Sequence, residues 1–212
     1  MKKFLLTLSI LSFLSALAII SPWKSIGDKI LGIVGLSVSS PVSISVNSKE
    51  GVLRVYINDK DEGTTPLELN NLSSGSYKVR LSKESNTPDF YTTFERVFDI
   101  EEGTQVVINW ELGPSNEFSS GEVYFFKKNL DEQQQESTVS IIPHPDNAIV
   151  YFDGAKQSGP PFVLDGIKEG RHKVKVEQDH FIDTEIDIQT KENYDLFLEV
   201  RLFPLPVDIE LE

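Results

Sequence analysis

One line of this sequence is written twice. The stretch VLRVYINDKDEGTTPLELNNLSSGSYKVRL returns downstream as AIVYFDGAKQSGPPFVLDGIKEGRHKVKV. With Tyr56 set against Tyr151, register holds without a gap from Val55–Leu81 to Val150–Val176. A spacing of about 95 residues is longer than the unit of ordinary stacked solenoids, so the chain reads as tandem domains. Its 212 residues accommodate two small modules, each near the size at which a core first sustains itself.

Both copies carry the same punctuation. Each opens on an alternating strand, VLRVYI or AIVYF, and reaches a polar tip at Asn58-Asp59 or Asp153-Gly154. Such pairs suit a tight hairpin because both central residues tolerate positive φ. A matched proline follows, Pro66 or Pro161; lacking a donor, proline suits the start of an edge strand. Gly75 and Gly170 then precede a second alternating strand. In it Tyr77, Val79 and Leu81 share one face, as do His172, Val174 and Val176, while the intervening lysines and arginines face away. TQVVINWEL and YDLFLEVRL repeat the alternation through Val106, Ile108, Trp110 and Leu112, and through Tyr194, Leu196, Leu198, Val200 and Leu202. No segment after residue 41 shows a long helical period, so the fold class is all-β: two small antiparallel β-sandwich modules in tandem behind an N-terminal hydrophobic helix.

The residues that carry the repeat also carry a resemblance. PDNAIVYFDG is similar to the signature of the PEGA domain, with Pro145, Asp146, Asn147 and Ala148 in the positions of the Pro-Glu-Gly-Ala motif, followed by Tyr151, Asp153 and Gly154. The first copy resembles the family's turn and Gly-Thr-Thr-Pro-Leu segments through Tyr56, Asn58, Asp59, Gly63, Thr64, Thr65, Pro66, Leu67, Leu72 and Gly75, but keeps only Glu50-Gly51 of the eponymous motif. The second departs where SGPPF, containing Pro161, replaces GTTPL, and closes with Gly170. The resemblance implies a surface-associated β-module of prokaryotic envelope proteins, often tethered to a membrane. It supplies no catalytic residue, because the motifs encode turns and strands.

The first 23 residues are read as an anchor or signal segment. Lys2 and Lys3 precede an uncharged run from Phe4 to Ile20, followed by Trp23 and Lys24 at the place of an interfacial aromatic and a snorkelling cation. Ala16 and Ala18 form a small-x-small cleavage pattern, so an uncleaved anchor with the remainder outside competes with secretion after cleavage near Ala18. Residues 24–41 are expected as a juxtamembrane stalk loosened by glycine or, from the helical spacing of Ile26, Ile30, Ile33 and Val34, as a helix lying along the membrane surface.

The formal charge of −13 is distributed unevenly, since the first 41 residues hold four lysines against Asp28. The acidic remainder would be repelled by phosphate backbones, which argues against nucleic acid as a partner. Absence of cysteine removes disulfides, thiolate metal sites and lipidation of a cysteine.

The modules are placed at 42–112 and 139–203, with a linker at 113–138 and a tail at 204–212. Within the linker EVYFFKK is too apolar for free coil, so Val123, Tyr124, Phe125 and Phe126 are expected to form a short strand or dock on a module, with a partner-binding strand as the alternative. The tail alternates Val207, Ile209 and Leu211 with acids, as an added edge strand or a frayed terminus. His172 reads as a packed core histidine, His144 as a turn residue between prolines, and His180 as a solvated turn. Asp59, Asp61 and Glu62 lack the ligand spacing of a calcium loop and match a hairpin tip. No serine elbow or phosphate loop is present, and no cofactor or metal is expected. The sequence thus points to a non-enzymatic tethered envelope protein with an envelope protein or glycan as partner. A carbohydrate or peptidoglycan-binding module, marked by a row of exposed aromatics, is the alternative; a hydrolase would need clustered carboxylates around a pocket.

Overall fold

A computed structural model describes residues 42–85, 90–128 and 136–205. Residues 1–23 and 24–41, expected as an anchor or signal segment and a juxtamembrane stalk, residues 129–135 of the expected linker and the tail beyond Leu205 lie outside the described residues.

Local turns form where the repeat predicts them. Strands β1 (Val42–Asn47), β2 (Arg54–Ile57) and β3 (Lys60–Thr64) open the first copy, and the β2–β3 tip holds Asn58 at φ 51° and Asp59 at φ 64°. The side chain of Asn58 locks that tip by accepting a 2.8 Å bond from the amide of Lys78. Gly63, at φ 115°, sits at a bulge where Tyr56 pairs with Asp61 and Val55 with Gly63. The copy continues through β4 (Leu67–Leu72), β5 (Gly75–Ser82), β6 (Phe94–Ile100) and β7 (Gln105–Glu111). Next comes β8 (Ser120–Lys128), inside the segment expected to be a linker, and then β9 (Ser137–His144). The second copy repeats the hairpin in β10 (Ile149–Phe152) and β11 (Ala155–Lys156), where Asp153 takes φ 49° and accepts a 2.9 Å bond from the amide of Lys173. Strands β12 (Phe162–Ile167), β13 (Gly170–Glu177), β14 (Thr184–Thr190) and β15 (Tyr194–Arg201) complete it. The loop substitution has a visible effect: Thr65 exchanges bonds with Leu53 through both its amide and hydroxyl, whereas Pro160 has no amide to donate and β11 is only two residues long.

The described residues are all-β, in three sheets. Two four-stranded sheets, β3-β2-β5-β6 and β11-β10-β13-β14, each belong to one copy. The third is shared: its seven strands run β12-β9-β15-β8-β7-β1-β4. Two features differ from the expected pair of separate antiparallel units. Strand β1 runs parallel to β7, and β9 parallel to β15. The two copies also meet in one continuous sheet, because β8 pairs antiparallel with β7 on one edge and with β15 on the other. Both outermost strands, β4 and β12, begin directly after Pro66 and Pro161, as a residue without a donor requires at a sheet edge.

Strand β8 explains why VYFF is an unbroken apolar run. Val123 and Phe125 project into a core made with β1, β2, β5, β6 and β7, while Tyr124 and Phe126 project into a second core made with β9, β10, β13, β14 and β15. Successive side chains on a strand point to opposite faces, so the two cores lie on opposite faces of the shared sheet and β8 is the strand that lines both. Because β7 and β15 flank it in the same direction, a half-turn about β8 exchanges the copies. Val123 is fully buried and Tyr124 nearly so; burial of each such side chain contributes about 1.5–3 kcal/mol. Gly121, at φ 148°, permits the close approach of β7: a Cβ there would fall 2.1 Å from the Asn109 carbonyl oxygen. Trp110 and Leu112 in the first core and Val200 and Leu202 in the second are buried, matching the alternation of their strands.

Candidate functional site

The seven-stranded sheet extends past the four-stranded layer on each of its faces, which leaves part of it uncovered. On the first core's side, β15 and β9 continue beyond β8 and present Phe197 and Ile142, 41% and 52% exposed. Edge strand β6 overlooks that surface. Between them lies a cleft of about 330 Å³ whose floor includes Phe125, Phe197 and Ile142 and whose rim carries Arg96, Glu199 and Lys127. Arg96 of the first copy reaches Glu199 of the second at 2.6 Å, with its guanidinium carbon 5.2 Å from the Phe98 ring centre and 5.5 Å from that of Phe125. His144 Nε2 lies 3.2 Å from the other oxygen of Glu199. Lys127 pairs with Glu101 at 2.6 Å on the neighbouring rim. The chemistry offered is an apolar trough with fixed charges beside a strand edge, suited to an extended segment laid along β6.

A second cleft, about 610 Å³, lies on the second core's side beside the start of β14 and is polar instead. It includes Lys49, Glu111, Glu122, Glu185 and Arg201. Glu122 is nearly buried and pairs with Lys49 at 2.9 Å. Burial, together with the charge of Glu122, pushes the Tyr124 phenol well above its ordinary range, against an opposing hydrogen bond with Asn109.

The signature residues predicted from sequence do not converge on either cleft. Tyr56 lies on β2 with the Arg80 guanidinium 3.8 Å from its ring centre, and Tyr151 holds the matching place on β10. Asn58, Asp59, Asp153 and Gly154 are the two hairpin tips. Pro66 and Pro161 follow cis peptide bonds ahead of the edge strands, and Gly75 and Gly170 begin β5 and β13. A Cβ at Gly75 or Gly170 would meet only Tyr77 at 4.0 Å or His172 at 3.9 Å, so these two glycines relieve no close contact. Pro145, Asp146, Asn147 and Ala148 form the turn after β9: the Pro145 carbonyl accepts the Ala148 amide at 3.2 Å, and Ala148 is buried in the second core.

His172 is less enclosed than a core residue. Its ring stacks on Phe152, with Nδ1 2.8 Å from Asp153 Oδ2 and Nε2 3.1 Å from the Lys168 carbonyl. Tyr77 makes the corresponding 2.7 Å bond to the Ser73 carbonyl in the first copy. Burial works against protonation of His172, but its bonds to Asp153 and the Lys168 carbonyl outweigh it and hold the pKa above the ordinary value. The same bond to His172, with the Lys173 amide, holds the Asp153 carboxyl below the usual range. His144 ends a strand instead of lying in a turn, while His180 occupies a turn at φ 67°. In the loop tested for calcium, Asp61 pairs with Arg54, Glu62 with Lys60 and Asp59 with Lys78. Among the described residues no three His, Asp or Glu side chains are grouped to hold a metal.

Sequence reasoning did not single out Arg96, Ile142, Phe197 or Glu199. A signal was present: Phe197 stands at an outward position of a strand whose neighbours on that face, Asp195, Glu199 and Arg201, are charged.

No curated protein matches this chain. The family model for the PEGA domain matches twice, over residues 41–116 and 136–202, leaving β8 between the two matches. Those stretches cover more than half of the sequence and coincide with the two copies joined at β8, so the chain belongs to the PEGA domain family.

Proposed function

We propose that this chain is a non-enzymatic, membrane-tethered envelope protein in which an N-terminal helix holds two β-sandwich modules outside the cytoplasmic membrane, where they scaffold or bind other surface components. Residues 1–23 would supply position, and the two modules, joined through one sheet, would supply a stiff platform. The observation that carries the binding part is the apolar cleft between β6 and the uncovered face of β15 and β9. An extended segment of a surface protein would add along β6 and seat alternate side chains on Phe197, Ile142 and Phe125.

The glycan-binding alternative draws less support. Trp110, the strongest stacking residue among those described, is only 7% exposed and packs against Phe94 in the first core.

External protease added to intact cells tests the placement. Loss of the full chain with cuts in residues 42–205 is expected, and protection of that region until the cells are lysed would overturn the reading. A photo-reactive residue at position 197 tests the cleft in the same cells. Adducts with an envelope protein support it, and adducts with only glycan or lipid reject peptide docking.

A further inference from the structure

We propose that the described unit is built to bear tension along its strands, pulled between the start of β1 and the end of β15. The directions follow from register. Ser43 pairs with Gln105, Gln105 with Phe126 and Phe126 with Leu196, which sets the start of β1 level with the start of β15. Asn47 pairs with Asn109, Asn109 with Glu122 and Glu122 with Val200, which sets their far ends level. Strands β1, β7 and β15 therefore run the same way. The chain enters the described unit at one end of the shared sheet and leaves it at the other.

A pull on those two points acts in opposite directions along the strands. The points are offset sideways by three strand spacings, about 14 Å, and lengthwise by about 20 Å, so the component along the strands is the larger. In that geometry the ladders between β1 and β7, β7 and β8, and β8 and β15 are loaded in shear. All bonds of a ladder then yield together. A pull across the sheet opens them one pair at a time.

The attachment of the two loaded strands supports the same reading. Neither is at an edge: β1 is held by β4 as well as β7, and β15 by β9 as well as β8. The exit beyond β15 is also fastened, since the Leu202 amide bonds the His144 carbonyl, Pro204 bridges Phe181 and the Leu205 amide bonds the His180 carbonyl. Edge positions, where a strand peels most readily, are left to β4 and β12.

The source of tension rests on the proposed tether, whereas the resistance rests on strand directions alone. Single-molecule pulling on the full chain in detergent measures the resistance. The chain has no native cysteine, so paired cysteines give defined handles. Pro41→Cys with Leu205→Cys loads the chain end to end, and Glu68→Cys with Val163→Cys loads it across the edge strands; Asn70→Cys replaces Glu68→Cys if that variant melts early. At equal loading rate, end-to-end rupture is expected at about twice the transverse force or more, because unfolding under force follows the barrier along the pulled direction. Equal or lower end-to-end force, or an early small step in which β1 leaves alone, would overturn the proposal. A protease result that placed the unit inside the cell would remove the tether and leave this force ratio unchanged.

Discussion

Replacing Val123 with alanine should loosen both copies, although the side chain touches only the first core. Val123 is fully buried. Removing its two methyl groups forfeits about 1.6 kcal/mol of transfer free energy, and the residual cavity raises the loss to about 2–3 kcal/mol. For a unit of this size that lowers the melting temperature by about 4–12 °C. The loss spreads because the copies cannot part cheaply. Unfolding one alone strips β15 from β8 along eight register pairs and uncovers Tyr124, Phe126 and Val107. That exposure costs about 5 kcal/mol, comparable with the lower end of total stability for a domain. A half-unfolded form is therefore scarce, and heat should melt the unit in one step. Calorimetry combined with amide exchange read by mass spectrometry follows this directly, comparing β5 in the first copy with β13 in the second. In the Val123→Ala variant both should lose protection by the same factor. Wild-type exchange in β13 beside accelerated exchange in β5, or two separate heat-absorption peaks, would refute the reasoning.

The His172 pair predicts a pH dependence with a definite sign. A histidine pKa raised by folding contributes stability that is complete below the unfolded value and fades as pH rises through the folded one. Melting temperature should fall as pH rises above the ordinary histidine value of about 6.5, and His172→Tyr, which takes the role Tyr77 plays in the first copy, should flatten that fall; equal slopes in both proteins would contradict it. At the acid end, Asp153 acts oppositely: its contribution is present above the unfolded carboxyl value and fades as pH falls through the lowered folded one. Asp153→Asn should therefore reduce acid sensitivity, read from unfolding curves taken below about pH 4. Glycine tolerance should divide by surroundings. Gly121→Ala drives a Cβ against the β7 backbone and should cost about 3 kcal/mol or more in urea titration, whereas Gly154→Ala meets nothing within 4 Å and should cost only about 1 kcal/mol from its φ of 79°.

Local structure was legible in the sequence because its causes are local. The hairpin tips rest on residues that accept positive φ, the edge strands follow prolines without donors, and the alternation of Val106, Ile108 and Trp110 reports one buried face. Val123–Phe126 was legible only in part: its apolar character predicted a short strand or docked segment within a linker, whereas the lack of alternation reflects a strand covered on both faces. What covers those faces could not be read. Pairing β8 with β15 joins Tyr124 to Leu198, far apart in the chain, and no local propensity selects that partner. The parallel contact of β1 with β7 escaped for the same reason: alternation fixes which side chains are buried, while strand direction depends on the path of the whole chain. The cleft was missed because Phe197 and Ile142 sit at positions that alternation assigns to solvent, and their exposure follows from where a different layer stops.

The place of β8 also limits how such a molecule can grow. An extended strand has two flanks and two faces, a valence that the two copies use up completely. A third copy would find no free side on this strand and would have to bring its own connecting segment, or add at β4 or β12. Longer arrays assembled on this plan should therefore advance in welded pairs, with the bending between pairs set by whatever joins them.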